Sequence, residues 1–340
     1  MNTDSLCLLW QPAKDGIRLL RCFGNSPELI LPDSIEQKNI TEIGAYCFSR
    51  SRPRFQGNVF LSILPGETIC MTDSLLNSPD FDFSMYGTEL DGTFLEKITL
   101  PDCVTTLDNA AFYNCRKLKS LSVGPFITGI GSDEFTNDTK LGNLIIRGSI
   151  HQATGLSLFL ERIADNLTIT FLPDKKMPPE AVLFFPEYYE WLDEISPAHI
   201  FSRSIHGEGF RMRKCFQNNI LDFGKYDACF ANALKSESDE TLCKIALNRL
   251  IYPVNLPGGQ KENYEKALRE RLETAFELSI QDKNFSLLSF LCSRFSPDTK
   301  LLSPAIESCI RADWGEGSAF LMEQKHKNFT AKTFDFNLDF

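Results

Sequence analysis

The 340-residue sequence predicts an α/β chain in which a solenoid of short parallel strands is followed by an all-α helical-repeat domain. Three observations carry this prediction. An apolar pattern recurs every 23 residues between 95 and 169, the spacing of apolar residues becomes helical from Tyr226 onward, and Pro178-Pro179 separates the two regions. A fixed period of this length is typical of repeat proteins, in which each unit buries its apolar side against its neighbours.

The first element is a β-hairpin within residues 1–27. Two apolar runs, Leu6 to Trp10 and Ile17 to Phe23, are separated by a polar segment that contains the turn signal Asp15-Gly16. A solenoid needs a cap because its first unit otherwise exposes an apolar end. We therefore expect this hairpin to be the cap.

The repeats occupy residues 28–172. Ile98, Leu121, Leu144 and Leu167 are each 23 residues apart, and the apolar residues two positions later keep the same step. In the pattern Leu-x-x-Leu-x-Leu the alternating apolar side chains point inward from a short strand. Two further copies, with insertions, are predicted at 29–35 and 63–69, and a looped insertion is predicted at 77–91.

A second pattern sharpens the repeat. The segments 40–48, 104–112 and 127–135 align with one another, and each ends in phenylalanine. Together with the strands, these segments resemble the BspA-type leucine-rich repeat over about 28–171. Asp108 replaces the usual glycine of that repeat, and Asp138 replaces its usual cysteine. The resemblance implies a right-handed leucine-rich repeat solenoid and a family whose members are often surface adhesion proteins.

The rest of the chain is predicted as an aromatic connector (173–225), an α-helical repeat domain (226–329) and a strand-like tail (330–340). Two long apolar faces are expected at 242–250, with a capping box at Ser236 and Asp239, and at 264–280, with a supporting Glu265–Arg269 pair. Further helices are predicted at 286–294, 301–311 and 318–327, and the last of them follow at a spacing of about 32 residues that resembles ankyrin-like repeats.

Composition excludes several classes of function. The net charge is −10 and both halves of the chain carry an acidic excess, which argues against nucleic acid or an anionic membrane as the main partner. The eleven cysteines include no two within four residues, so we expect buried, reduced thiols and no metal site or cofactor. No apolar run is long enough to span a bilayer, and no export signal is recognisable, so a cytoplasmic location is expected.

The candidate binding residues fall into two groups. Outward positions on the predicted sheet are small and polar and suit a protein or peptide partner; they are Lys97, Thr99, Ser122, Asn143, Ile145, Arg147, Asn166 and Thr168. A basic-aromatic segment adds Arg203, His206, Arg211 and Arg213, which could bind a partner or could simply pair within the fold. The oligomeric state cannot be inferred from these patterns.

The favoured function is a non-enzymatic protein-interaction scaffold or adaptor, with no catalytic residues. No nucleophile motif surrounds any of the four histidines, and the loop at His206 to Gly209 lacks the lysine of a phosphate loop. One alternative is a regulatory subunit or weak hydrolase with a cleft site near His206 and Arg211. Another is a surface adhesin whose export signal lies outside this sequence.

Overall fold

The computed structural model describes residues 6–174, 176–195 and 200–333. The chain divides into two compact units, Met1–Cys229 and Phe230–Phe340. Every described strand belongs to the first unit, and the second unit is built from helices. The predicted class, a solenoid with short, mostly parallel strands and a helical C-terminal region, is confirmed.

The chain begins with the predicted hairpin, β1 (Leu6–Ala13) and β2 (Gly16–Gly24), which pair antiparallel. The first coil follows as β3 (Glu28–Ile30), β4 (Ser34–Ile35) and β5 (Lys38–Ile43). β2 pairs in parallel with β5, so the hairpin continues a sheet of the solenoid. Gly16 is required at this junction, because a Cβ there would lie 2.4 Å from the carbonyl oxygen of Asn39.

The predicted repeat copy at 63–69 is wrong. The chain between the first two coils forms β6 (Val59–Leu64), β7 (Thr68–Met71), α1 (Asp73–Leu76), a 3-10 turn (Phe83–Tyr86) and β8 (Thr88–Glu89). β6 pairs antiparallel with β1 instead of joining the stack of coils. Its apolar side chains pack into a core with Cys7, Leu9 and Phe23 of the hairpin. This insertion therefore enlarges the N-terminal cap.

The regular coils supply β9 (Lys97–Thr99), β10 (Thr106–Leu107), β11 (Ser120–Val123), β12 (Gly129–Ile130), β13 (Asn143–Ile146), α2 (Leu156–Arg162) and β14 (Leu167–Phe171). One sheet has the order β14-β13-β11-β9-β3 with all neighbours parallel, and β15 (Ala181–Phe185) adds an antiparallel edge strand to β14. The second sheet stacks β12, β10, β5 and β2 in parallel. Each coil therefore contributes one strand to each sheet.

Phenylalanines connect the coils on the side opposite the main sheet. The ring centroids of Phe48 and Phe112 lie 5.0 Å apart, those of Phe112 and Phe135 lie 5.5 Å apart, and those of Phe135 and Phe159 lie 5.7 Å apart. All four rings are buried. The recurring Phe of the sequence pattern is thus a continuous ring ladder through the core.

The last coil departs from the predicted step of 23 residues. Leu144 of β13 lies beside Ile169 of β14 rather than Leu167, so this coil is two residues longer. α2 takes the place of the extended turn found in the other coils. A helix advances only about 1.5 Å per residue, so more residues are needed to cover the same path.

The predicted aromatic connector is a folded region. It contains β15, the hairpin β16 (Tyr189–Ile195) and β17 (Ile200–His206), then α3 (Gly209–Met212), β18 (Phe216–Gln217) and β19 (Ile220–Leu221). The Tyr226 hydroxyl donates to the carbonyl of Phe184 at 2.6 Å, and its ring meets Phe185. These contacts cover the final strand of the sheet.

The helices are α4 (Phe223–Ser236), α5 (Asp239–Ile251), α6 (Gly258–Arg269), α7 (Leu272–Gln281), α8 (Phe285–Phe295), α9 (Thr299–Arg311) and α10 (Gly315–Thr333). Within the second unit, α5, α7 and α9 pack in succession, and α8 packs against α10. Lys283 and Asp313 occupy left-handed turns 30 residues apart, so consecutive helical hairpins repeat at that period. Within the described residues, no helix is long and apolar enough to cross a membrane.

Three sequence predictions for the helices need correction. The N-cap of α5 is Ser238, whose hydroxyl accepts from the Thr241 amide, because α4 continues through Ser236. The face predicted at 264–280 belongs to two helices, since the chain turns at Arg271. Glu265 pairs with Arg294 rather than with Arg269.

The strand-like tail predicted at 330–340 begins as helix. Residues 330–333 lie in α10, and residues 334–340 lie outside the described part of the chain.

Candidate functional site

The main sheet presents two rows of outward side chains. Pairing between strands places Ile30, Thr99, Ser122, Ile145, Thr170 and Val182 in the first row. The second row consists of Glu28, Lys97, Ser120, Asn143, Thr168 and Phe184. The longer last coil moves Thr168 from its predicted first row into the second. A shift of two residues keeps a side chain on the same face, so Thr168 still points outward.

Two predicted partner contacts are used inside the fold. Ser122 is only 8% exposed, because the Arg147 guanidinium lies over it and donates to its Oγ at 2.7 Å. Arg147 also donates to Asp102 at 2.7 Å and to the carbonyl of Leu100. This arginine therefore ties three successive coils together, and neither residue is available to a partner.

The remaining sheet residues are more accessible. Lys97 forms an exposed ion pair with Glu28 at 2.6 Å, a kind of contact that adds little stability. Asn143 is exposed, and Thr99 and Ile145 are partly exposed. Asn166 lies just before β14, where its Oδ1 accepts from the Glu187 amide at 2.9 Å and fixes the chain that leaves β15.

Arg203 and His206 lie on the hairpin of β16 and β17. Arg203 pairs with Glu190 across the hairpin, and the His206 ring stacks on Tyr189 with centroids 4.9 Å apart. Nε2 of His206 is 3.3 Å from Oγ of Ser204, two residues away on the same exposed strand. A serine–histidine pair needs a third group to orient the base before it can act as a nucleophile, so this contact alone is not a catalytic site.

The hairpin also exposes large apolar side chains that the sequence analysis did not select. The exposed fraction is 60% for Tyr189, 56% for Trp191 and 67% for Leu192. Among the described strands, β16 and β17 pair only with each other. The signal was present as the aromatic run before Leu192, but an aromatic run in a sequence is equally compatible with burial.

Arg211 and Arg213 have different surroundings although they are neighbours in sequence. Arg211 extends into solvent and pairs with Glu208 at 2.7 Å. Arg213 is 6% exposed and donates to the carbonyls of Ile163, Ala164, Asp165 and Pro186. Burial lowers the pKa of its guanidinium to about 10. Arg213 thus holds the end of the solenoid together, and its prediction as a binding residue is wrong.

Two buried carboxylates replace uncharged residues of the repeat. Glu134 occupies the position of Ala111, and Asp138 occupies that of Cys115. Each accepts one backbone amide of the preceding coil, from Ala111 at 3.0 Å and from Cys115 at 2.6 Å. Their other oxygens, Oε1 and Oδ2, find no hydrogen-bond partner among the residues that the structure describes. Burial raises the pKa of Glu134 to about 9 and that of Asp138 to about 8.

The helical unit has one small groove of note. It lies between α7 and α9, has a volume of about 160 Å³, and is lined by Glu273, Phe276, Glu277, Ile280, Leu301, Pro304, Ala305 and Ser308. The floor is apolar and the two glutamates lie at one side. This volume is below the few hundred Å³ that ligand sites usually have. Across the described ranges, no group of three His, Cys, Asp or Glu side chains is arranged to hold a metal ion.

Comparisons with known proteins agree with this geometry. Residues 88–168 match the model of the BspA type leucine rich repeat region, with six copies. A search of solved structures found the crystal structure of a T. pallidum leucine-rich repeat protein, TpLRR, at 17% identity over 40% of this chain and 67% of that chain, with a TM-score of 0.20. The search of curated proteins gave no match. The regular coils of this chain are therefore a BspA-type leucine-rich repeat region.

Proposed function

We propose that this chain is a non-enzymatic scaffold or adaptor that binds another protein through the hairpin of β16 and β17. Leucine-rich repeat regions typically bind proteins and typically lack a reaction centre. The observation that carries the proposal is the exposure of Tyr189, Trp191 and Leu192 together on one hairpin. Large apolar side chains that cluster on a surface mark interaction sites more often than single exposed ones do.

The chemistry of the hairpin suits a protein partner. Tyr189 and Trp191 alternate on one face, while Leu192 and Ile205 lie on the other. Tryptophan and tyrosine provide most of the binding energy at many protein interfaces, since they bury a large area with few rotatable bonds. Glu190 and Arg203 pair beside them and would form a polar rim around the apolar contact.

A second candidate surface is the first row of the main sheet. Ile30 at its end is 71% exposed, and Thr99, Ile145, Thr170 and Val182 continue the row with partly exposed side chains. Such a flat row of small side chains could receive an extended segment of a partner. It ranks second because Arg147 covers its middle position, Ser122.

The experiment compares capture of partners from the native host's lysate by four full-length proteins. They are the wild type, Trp191→Ser/Leu192→Ser, Thr99→Glu/Ile145→Glu, and the matched control Phe126→Ser. Phe126 is 61% exposed on the same unit, so its replacement removes a similar apolar area elsewhere. Circular dichroism melting would establish that all four are folded.

We expect the hairpin variant to lose its main partner, with affinity reduced about 30-fold or more, as is usual for a central tryptophan. The control and the sheet variant should keep that partner. Loss in the sheet variant alone would move the binding site to the first row. Equal retention by all variants, or no specific partner for the wild type, would contradict the proposal.

The alternatives have distinct outcomes. Hydrolysis of a simple ester that disappears in Ser204→Ala would favour a weak hydrolase over a scaffold. Recovery of the native protein from the cell surface would favour an adhesin, whereas the cytoplasmic location that we propose requires it in the soluble intracellular fraction.

A further inference from the structure

We propose that Cys215 and Cys229 form a reversible redox site in which a peroxide converts the two thiols into a disulfide. Their Sγ atoms lie 3.8 Å apart. A disulfide bond is about 2.0 Å long, so each sulfur would need to move by only about 1 Å, within the range of side-chain rotation. All eleven cysteines are free thiols in this structure.

The two thiols have unequal surroundings, which assigns each a role. Cys229 lies on α4 and is partly exposed, so an oxidant can reach its sulfur. Cys215 follows α3 and is 3% exposed. An accessible thiol beside a buried one is the usual arrangement of a redox-sensing cysteine and its resolving partner.

Electrostatics support the same assignment. The hydrogen bond with Cys215 lowers the pKa of the Cys229 thiol, and this effect outweighs burial and the nearby Glu208 carboxylate, which act in the opposite direction. Arg211 also favours the Cys229 thiolate. The pKa of Cys215 is raised, first by its hydrogen bond to Cys229 and then by burial. Cys229 is therefore the nucleophile, since the thiolate is the reactive form.

The chemistry balances in two steps. The Cys229 thiolate attacks one oxygen of a peroxide; the S–O bond forms, the O–O bond breaks, and the other oxygen leaves as an alcohol or water after it takes a proton. Cys215 then attacks Cys229 Sγ; the S–S bond forms, the S–O bond breaks, and hydroxide leaves as water with the Cys215 proton. The sulfurs lose two electrons and the peroxide gains them.

The chain contains two internal controls. Cys22 and Cys47 are hydrogen-bonded to each other, but both are almost fully buried, and burial raises the pKa of Cys22 well above its usual value. Cys70 is exposed on β7 and has no thiol as a recorded hydrogen-bond partner among the described residues. The first pair tests whether proximity alone is sufficient, and Cys70 tests whether exposure alone is sufficient.

The experiment treats the full-length reduced protein with hydrogen peroxide, blocks the remaining thiols, and maps the peptides by mass spectrometry. We expect a Cys215–Cys229 cross-link that is two hydrogen atoms lighter than the dithiol, forms roughly tenfold faster than Cys70 is oxidised, and is reversed by a thiol reductant. The Cys22–Cys47 pair should stay reduced while the protein is folded.

Two variants separate the roles of the sulfurs. Cys215→Ser should stop the reaction at a Cys229 sulfenic acid, which a dimedone probe would trap, and Cys229→Ser should leave Cys215 unmodified. Cys70→Ser should leave the cross-link unchanged. Failure of the wild type to form the cross-link, or its formation no faster than Cys22–Cys47, would overturn the proposal, and neither result depends on the variants folding.

Discussion

At the scale of single residues, side chains at equivalent repeat positions have opposite fates. Ala111 and Cys115 fit the inside of their coil without charge, whereas Glu134 and Asp138 bring carboxyl groups to the same positions of the next coil. Each keeps one hydrogen bond to a backbone amide and leaves one oxygen without a partner among the described residues. A buried carboxyl group of this kind favours its protonated form.

This predicts an unusual pH dependence of stability. Because the folded-state pKa values are about 9 and about 8, well above those of the unfolded chain, the folded protein binds more protons between about pH 4 and pH 9. We expect the free energy of unfolding to fall as pH rises through this window, by at most about 1.4 kcal/mol per pH unit for each group.

Denaturant unfolding of the full chain at several pH values would measure this slope. The double variant Glu134→Gln/Asp138→Asn should flatten it, because neutral amides remove both titrations. Glu161→Gln, at an exposed acid on α2, is the matched control and should leave the slope as in the wild type. An unchanged slope in the double variant would contradict the prediction.

At the scale of elements, the coil is defined by two sheets and the ring ladder between their ends. Threonine hydroxyls repeat this connection, since Thr105 donates to the carbonyl of Thr41 and Thr128 donates to that of Thr105. Each coil therefore depends on its neighbours, as expected for a solenoid. The interior rings of the ladder should contribute more stability than any exposed ring.

Phe112 is the test of this idea, because it stacks on both Phe48 and Phe135. We expect Phe112→Ala to lower the free energy of unfolding by about 3–5 kcal/mol through lost burial and a cavity. Phe126→Ala, at a ring that is 61% exposed, should change it by less than about 0.5 kcal/mol. Similar losses for both variants in denaturant unfolding would count against the ladder as a stabilising element.

At the scale of the whole molecule, each unit carries its own core and its own buried tryptophan. Trp10 is 2% exposed in the first unit, Trp314 is 6% exposed in the second, and Trp191 is exposed. Fluorescence can therefore follow the two units separately. The variant Trp191→Phe/Trp314→Phe reports on the first unit, and Trp10→Phe/Trp191→Phe reports on the second.

Leu121→Ala in these two backgrounds tests how the cores divide. Leu121 is fully buried in β11, so we expect a loss of about 2–5 kcal/mol in the transition that Trp10 reports. The transition that Trp314 reports should stay within about 0.5 kcal/mol of its background. Equal shifts in both transitions would mean that the two cores unfold as one.

The sequence by itself determined the solenoid, its parallel strands, the ring ladder and most helices. These features follow from local periodicity: a repeat of 23 residues forces equivalent side chains into equivalent places, and helical spacing marks an apolar face without knowledge of the partner. The BspA-type repeat was recognisable for the same reason.

Only the tertiary structure decided which outward residues are available and which distant groups meet. Arg147 covers Ser122, Arg213 is buried against four carbonyls, and the segment at 59–71 pairs with the first hairpin instead of joining the coils. Cys215 and Cys229 come together although 14 residues separate them. Such contacts depend on the path of the chain through space, and residue type and local spacing contain no information about that path.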